Sequence, residues 1–541
     1  MENERVKITV TNSKINVWQP MIYALVLVFG ILLGLLLFSV NTGKQKPFID
    51  GKRDKLEDIL TYVRLKYVDT VNTDKLYEDA VQDMLATLDP HSVYIPAREL
   101  ARENESLEGN FEGIGIEFNI FEDTIMVVTP ITGGPSEAVG LKSGDLIVKI
   151  NDTLVCGVKI KNEDVVKKLR GEKNTKVKVS VLRKPTNTIL DYTITRNTIP
   201  LYSVDAALML NSKTGYIKIN RFSATTHDEF KKKIRKLKED GMEQLIIDVR
   251  QNPGGYLNAA AEIADELLTG EKLIVYTQGN AYKRQNYIGG REGLFEKGKL
   301  VVLIDQGAAS ASEILAGAVQ DWDRGTVVGR TSFGKGLVQE QFPLSDGSAL
   351  RLTVARYYTP SGRCIQRPYN NGKTAYNEDF FKRYENGSLL NDDTTQHHTD
   401  SLVYKTAKGR KVYGGGGIHP DVFAPFDSSI LNVTFAEVAG LIAEFTYKVY
   451  PQYEAEIARY KNVETFAAEF NVSNALFEQY LDFVKQQHPK ADFNKFAPYY
   501  PKVKSRLKAF FGRQRWQNEG YFFLMKEEDR DLKKALEVFN Q

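Results

Sequence analysis

Cysteine is nearly absent from this chain of 541 residues, with Cys156 and Cys364 the only two. Two cysteines so far apart in sequence build neither a disulfide framework nor a thiolate metal cluster, and they suit a reducing or an oxidising compartment equally. Blocks of one charge sign are also missing. Lysine and arginine total 72 against 69 acidic residues, a net charge of +3, and no run of like charges is long enough for a nucleic-acid surface. No nucleic-acid partner is expected. The six histidines are badly placed for a Ser-His-Asp triad: His91 stands beside a proline after a helix, His227 opens a polar helix, His397 and His398 lie in a polar stretch, His419 precedes a proline and His488 belongs to the C-terminal part. No GxSxG elbow surrounds Ser310 either, so a triad would need a histidine such as His227 to be brought in by the fold.

At this length the chain exceeds what one hydrophobic core organises, and several domains are expected. Residues 21 to 40, MIYALVLVFGILLGLLLFSV, carry no charge and would span ~30 Å as a helix, with Trp18 at the interface. Phe38, Ser39 and Val40 offer no convincing cleavage site, so the segment reads as an uncleaved transmembrane anchor after a cytoplasmic tail of residues 1–20. The flanking lysines and arginines, counted alone, give the reverse topology, but long domains translocate despite such charges.

Residues 41–107 have helical spacing, with Leu56, Ile59, Leu60 and Val63 on one face and Ala80, Val81, Met84, Leu85 and Leu88 on another, until Asp89 and Pro90 end the pattern. From 108 to 198 short β-rich runs such as GIGIEF, TIMVVTP and KVKVSVL alternate with turns, interrupted by one helix over Glu163 to Arg170. Between 199 and 429 apolar strands alternate with helices, which implies an α/β layer covered on both faces. Ser345, Asp346 and Gly347 turn a hairpin there. The stretch 370 to 400 is polar and reads as a surface loop, and 430–541 reads as a helical domain.

Ser310 follows the strand KLVVLID across a glycine-containing turn and opens the next helix. Ser310 and Glu313 fit an S-x-x-E capping box, which needs no chemistry at all. The same position projects the hydroxyl from the sheet edge, next to helix amides that can receive an oxyanion. Lys335 stands between two glycines in SFGKGLVQ, 25 residues after Ser310. A loop lysine is ordinarily a solvated charge, but flanking glycines permit close backbone approach. To act as a base near neutral pH it must lose about 3.4 units of pKa, or about 4.6 kcal/mol, which burial without a carboxylate partner can supply. Gln339 falls on the lysine's side in either helix or strand, and an amide orients the amine without holding its proton. Gly329 to Lys335 also fits GxxxxGK, yet Gly336 stands where a phosphate loop needs Ser or Thr. Asn252-Pro253-Gly254-Gly255 is a tight strand-to-helix connection whose glycine amides, with that of Ala311, suit an oxyanion hole.

Taken together, QLIIDVRQNPGGYL, VVLIDQGAASASEILAGAVQD, GRTSFGKGLVQ, YYTPSGRCIQ, LDPHSVY and GGGGIHPDV resemble the carboxyl-terminal processing peptidases, or tail-specific proteases. The resemblance covers roughly residues 55 to 425. It implies a crotonase- or Clp-protease-like α/β core with an inserted PDZ domain, and it places a serine nucleophile, a lysine base and a supporting glutamine on Ser310, Lys335 and Gln339. Gly254, Gly255 and Ala311 correspond to the oxyanion region. GIGIEF matches a carboxylate-binding loop, in which Gly113, Ile114, Gly115 and Ile116 would meet a substrate's free, apolar C-terminus while a strand adds at the sheet edge. Departures are Ala308, where members often carry Ser, and Gln251, where Gly is frequent. The resemblance further implies no cofactor or metal and a catalytic domain on the extracytoplasmic, periplasmic side of the inner membrane. The C-terminal part lies outside the motifs and is a candidate for adaptor docking or homo-oligomerisation. The rival expectation is a noncatalytic membrane scaffold that holds partner C-termini in its PDZ domain.

Overall fold

The computed structural model describes residues 18, 21, 24–30, 53–184, 186–391, 403–431, 433–489 and 496–541. The chain divides into two compact units, residues 1–80 and 81–541. In the first, a helix over Arg53–Lys66 carries Arg64 and Lys66 in its last turn, where cations complement the helix dipole. Leu56 and Ile59 on that helix are exposed.

The expected inner-membrane, single-pass location is corrected here. Among the described residues no helix is long and apolar enough to cross a membrane. Within 21–40 the described residues are Met21 and 24–30, all helical. Residues 22, 23 and 31–40 of the expected span lie outside the described residues.

In the second unit, residues 116–195 form an antiparallel sheet in which strands Ile116–Phe121, Thr124–Pro130, Leu146–Ile150, Lys176–Arg183 and Thr188–Thr195 are neighbours in that order, so that Ile116–Phe121 is an edge. Period-two alternation sorts its side chains. Ile125 and Val127 are buried with Val177, Val179, Val181 and the helix residues Val165 and Leu169, while Ile116, Phe118 and Ile120 line the margin of that core. Met126 and Val128, on the opposite face, pack against Tyr447 from the C-terminal helices.

The main sheet holds six strands in sequence order: β1 (Val204–Met209), β2 (Thr214–Ile219), β3 (Gln244–Asp248), β4 (Lys299–Ile304), β5 (Thr326–Gly329) and β6 (Val422–Phe423). β1 is antiparallel and the rest are parallel, with Ile247 beside Val302 and Val302 beside Val327. Both faces are covered, which is why these strands are apolar almost throughout. Ile247, Val302 and Val327 face helices α1 (Thr226–Glu239), α2 (Leu257–Asp265) and α3 (Ala311–Asp321) through Phe230, Ile263 and Leu315. Ile246, Val301, Leu303 and Val328 face the other way, onto Leu532, Ala535 and Phe539 of the last helix, α4 (Arg530–Phe539). The C-terminal part is therefore not merely appended, because its final helix closes the second face of the sheet. Preceding helices have their own aromatic core around Phe466, Phe496 and Phe511.

Ser345, Asp346 and Gly347 do connect an antiparallel pair, Leu337–Pro343 and Ala349–Tyr358, with Gly347 at φ 84°. The polar stretch after 370 differs from the expected loop, since it contains helices Gly372–Asn377 and Asp379–Glu385 and buries Tyr376 and Leu389. Its few apolar anchors are hidden by polar composition. Residues 392–400 lie outside the described residues.

Candidate active site

Three loops leave the C-terminal ends of adjacent parallel strands: 249–256 after β3, 305–310 after β4 and 330–336 after β5. Parallel strands deliver consecutive loops to one edge, which is where α/β sheets place their chemistry.

Ser310 ends the second loop in a conformation that L residues rarely adopt, φ 55° and ψ −111°. Its backbone is held from both sides: its N–H donates to Glu313 Oε2 at 2.8 Å, and its carbonyl accepts from the Tyr357 hydroxyl at 3.0 Å. Strain of this kind persists only where the surroundings over-determine it. Gly254 explains the close packing of the first loop, because a Cβ there would lie 2.7 Å from Ser310 Cβ and 2.9 Å from the Ala309 carbonyl. A Cβ on Gly255 would lie 2.0 Å from the Phe222 carbonyl oxygen. Gly254, Gly255, Ser310 and Ala311 are thus brought together. The two glycines differ in one respect: the Gly254 N–H donates to Asn252 Oδ1 at 2.9 Å and is buried, whereas Gly255 lies at the surface. Gln251, where glycine is frequent in the family, sits at φ 57° and is compensated by bonds from its N–H (2.9 Å) and side-chain amide (2.5 Å) to Asp305.

Lys335 and Gln339 are also brought together, with Nζ donating to Gln339 Oε1 at 2.9 Å. Gln339 Nε2 donates in turn to the His91 carbonyl, which turns Oε1 toward the lysine. The His91 loop is pinned by Asp89, which accepts from the N–H groups of His91 and Ser92 at 2.8 Å each and from the Thr353 hydroxyl at 3.1 Å. Burial first, and then the Arg351 charge, lower the Lys335 pKa, while Glu313 and Asp89 pull the other way. Burial and the nearby lysine also lower His91, to about 4, so its ring is neutral across the physiological range and hydrogen-bonds Tyr376 at 3.0 Å.

Glu313 joins the two halves. It is fully buried and accepts from Ser310 N–H (2.8 Å), Lys335 N–H (2.9 Å), Gly334 N–H (2.7 Å) and the Ser332 hydroxyl (2.5 Å). Burial pushes its carboxyl up from the ordinary value, and those donors oppose the shift. The sequence signal for Glu313 was the capping box, which identifies the bond to Ser310 but not the three to the lysine loop. Arg383, with no sequence signal, donates to the Ser332 carbonyl at 2.7 Å from the helix after 378. Among the described residues no hydrogen bond joins Ser310 Oγ to Lys335 Nζ, and no cluster of side chains suits a metal ion.

Comparison with known proteins adds to this geometry. The description "Peptidase family S41" matches residues 213–372, and a PDZ domain matches 113–194. A carboxyl-terminal-processing protease of Synechocystis sp. is 34% identical over 63% of this chain and 84% of its own length. The chain belongs to peptidase family S41, among the carboxyl-terminal processing proteases.

Another S41 relative, carboxy-terminal processing protease CtpB of Bacillus subtilis, is 38% identical over 59% of this chain, which spans 66% of that protein. A solved photosystem II D1 C-terminal processing protease is 30% identical, covering 57% of this chain and 82% of its own, with a TM-score of 0.32. Outside the S41 segment, an activating protease CtpB N-terminal domain matches 39–98, and a family of unknown function matches 436–517. In the PDZ segment the four predicted residues are adjacent. The Ile114 carbonyl accepts from Ser136 N–H (3.1 Å) and Oγ (2.6 Å), and the Gly115 carbonyl from Ile131 N–H (3.0 Å). A trans peptide points N–H opposite to C=O, so the amides of Gly115 and Ile116 turn away from those partners. Gly113, Ile114 and Gly115 are buried, and Ile116 is half-buried.

Proposed function

We propose that this chain is a serine endopeptidase that selects proteins by their free, apolar C-termini and cleaves upstream of them at Ser310. The observation that carries the proposal is the half-buried Lys335, paired with the Gln339 amide at 2.9 Å and tied through Glu313 to the backbone of Ser310. An amide partner orients the amine yet leaves it able to lose its proton, which burial favours.

In this reading neutral Lys335 takes the Ser310 proton as Oγ bonds to the scissile carbonyl carbon. The carbonyl oxygen becomes an oxyanion, held by the amides of Gly255 and Ala311. Gly254 is the weaker donor, because its N–H is already given to Asn252. Collapse breaks the C–N bond, Lys335 returns the proton to the leaving amine, and water then releases the acyl group with Lys335 again as base. The missing Ser310 to Lys335 bond is closed by a side-chain movement on substrate binding, as catalytic hydrogen bonds often tighten only in the complex.

Substrate selection falls to the PDZ segment. The outward amides of Gly115 and Ile116 form a concavity for a terminal carboxylate, and the open edge of Ile116–Phe121 accepts an added strand. The test gives the purified chain a peptide with a free C-terminus and its amidated twin. Cleavage of the free acid is expected, with at least about tenfold preference over the amide and loss in Ser310→Ala and Lys335→Ala. Cleavage that survives either substitution refutes the mechanism, and equal cleavage of both peptides refutes selection by the carboxylate. Binding without cleavage by the wild type would instead favour a scaffold.

A further inference from the structure

The C-terminal residues beyond 517 match none of the families found, yet they bind the base of the glycine loop and of the lysine loop. Two aspartates at the start of α4 make these contacts. Asp529 caps the helix by accepting from Leu532 N–H at 3.0 Å, and its carboxylate also binds Arg250 at 2.8 and 2.7 Å. Asp531, 5% exposed, binds Arg330 through both oxygens at 2.8 and 2.9 Å and shares one of them with Arg250 at 2.9 Å.

The two arginines occupy telling positions. Arg250 lies four residues before Gly254, at the start of the glycine loop, and its guanidinium also binds Asp248 at the end of β3. Arg330 begins the lysine loop, five residues before Lys335. It reaches the serine loop as well, donating from Nε to Gln306 Oε1 at 3.1 Å, and it binds the Ala424 carbonyl at 2.9 Å. One carboxylate thus bridges two largely buried guanidiniums that would otherwise repel. Paired forks of this kind fix geometry more than they add stability, because desolvation of the charges offsets much of their attraction.

We propose that Asp529 and Asp531 are positioning residues for the peptidase reaction, holding the glycine, serine and lysine loops in register through Arg250 and Arg330. This rests on the proposed endopeptidase function. It gives the last helix a task in catalysis besides covering the sheet. Without Asp531 the two arginines separate toward solvent, and each takes the start of its loop with it. The residues that touch substrate stay intact, but their mutual placement loosens, so turnover falls more than binding.

The experiment compares full-length wild type, Asp531→Asn, Asp531→Asn with Arg330→Met, and Glu537→Gln, an exposed residue on the same helix. Peptide kinetics and hydrogen exchange are measured for each. For Asp531→Asn the expected result is a fall in kcat of at least about tenfold with KM within about twofold. Exchange should quicken in residues 249–256, 305–310 and 330–336 and stay unchanged in α1 and the PDZ segment. The double variant removes the unpaired buried charge, so thermal stability should recover while kcat stays low. Glu537→Gln should match wild type. The proposal is overturned by kcat within about twofold of wild type in Asp531→Asn, by recovery of kcat together with stability in the double variant, or by faster exchange spread evenly over the unit. Wild type that cleaves no peptide refutes the endopeptidase reading instead; exchange then judges the clamp alone, and unchanged loops overturn it.

Discussion

The serine turn and the lysine loop leave neighbouring strands of one sheet, yet they are held differently. The serine turn is strained and has one tie close in sequence, since Glu313, three residues beyond Ser310, takes its N–H, while the Tyr357 hydroxyl and the Asn252 carbonyl hold Ser310 and Ala309 from farther away. The lysine loop has glycines on either side of Lys335 and is fastened almost wholly from afar. Ser332 N–H donates to the Ile418 carbonyl at 3.0 Å, Phe333 N–H to Ala308 at 2.9 Å and Gly336 N–H to Gln366 at 2.7 Å, while Arg383 binds the Ser332 carbonyl. A nucleophile has one productive position and tolerates local strain. A base must be both placed and kept from water, and that takes walls from several parts of the chain.

Glu313 accepts one donor from the serine turn and three from the lysine loop, so it gives the largest test. In Glu313→Gln one oxygen replaces two acceptors, and an NH2 group faces donors it cannot satisfy. Each buried donor left without a partner costs about 1–3 kcal/mol, so a stability loss of about 2–6 kcal/mol is expected, with kcat down at least about a hundredfold. Urea unfolding and peptide turnover measure the two effects. Retention of near-wild-type turnover would mean the loops are held independently, and the contrast drawn above would need no shared carboxylate.

Gly254→Ala separates the halves by disturbing only the serine turn. At φ 101° the new methyl group is strained, and it meets Ser310 Cβ at 2.7 Å. Overpacking of this size costs about 1–3 kcal/mol, and the expected result is a fall in kcat of about a hundredfold with unchanged exchange in 330–336. Gly270→Ala, also at positive φ but with nothing within 4 Å, is the control for strain alone.

Gln339→Glu acts only on the lysine side. A carboxylate 2.9 Å from Nζ favours the charged amine and raises its pKa by about one to two units. The proposed mechanism needs the neutral amine, so the rising limb of kcat/KM against pH should move upward by that amount, with about a tenfold loss or more at pH 7. An unmoved limb would show that Lys335 is not the titrating base.

This asymmetry also explains what the sequence disclosed. The Ser310 N–H is taken by Glu313 and the Gly254 N–H by Asn252, each within three places, and short-range motifs report such ties. The α/β core was legible because period-two burial on both faces leaves uninterrupted apolar strands such as QLIID. The clamps on the lysine loop were not, since Arg383 and Tyr376 sit in a segment whose composition reads as solvent-exposed, and nothing in their spacing points to residue 335. Asp529 and Asp531 were hidden for the same reason, being charged residues at a helix start more than 190 positions beyond Arg330. The apolar run at 21–40 shows the opposite error, a strong local pattern that no described helix fulfils.

The smallest expected effect concerns acid. His91 is held neutral, with its pKa lowered to about 4 by burial and by the lysine charge, and its ring packs against Phe333 and Tyr376 beside the lysine loop. The unfolded chain gains this proton near 6.5 and the folded chain only near 4, so between those values the unfolded state binds more protons. Stability contributed by the neutral ring is full above about pH 6.5 and is lost as pH falls toward 4, with a slope of at most about 1.4 kcal/mol per unit and less where solvent reaches the ring. Urea unfolding at several pH values should therefore show a shallower acid slope in His91→Gln than in wild type. Because the ring faces the lysine loop, acid should quicken exchange in 330–336 before 305–310. The reverse order would place the acid-sensitive contact on the serine side and undo the contrast between the strained serine turn and the remotely held lysine loop.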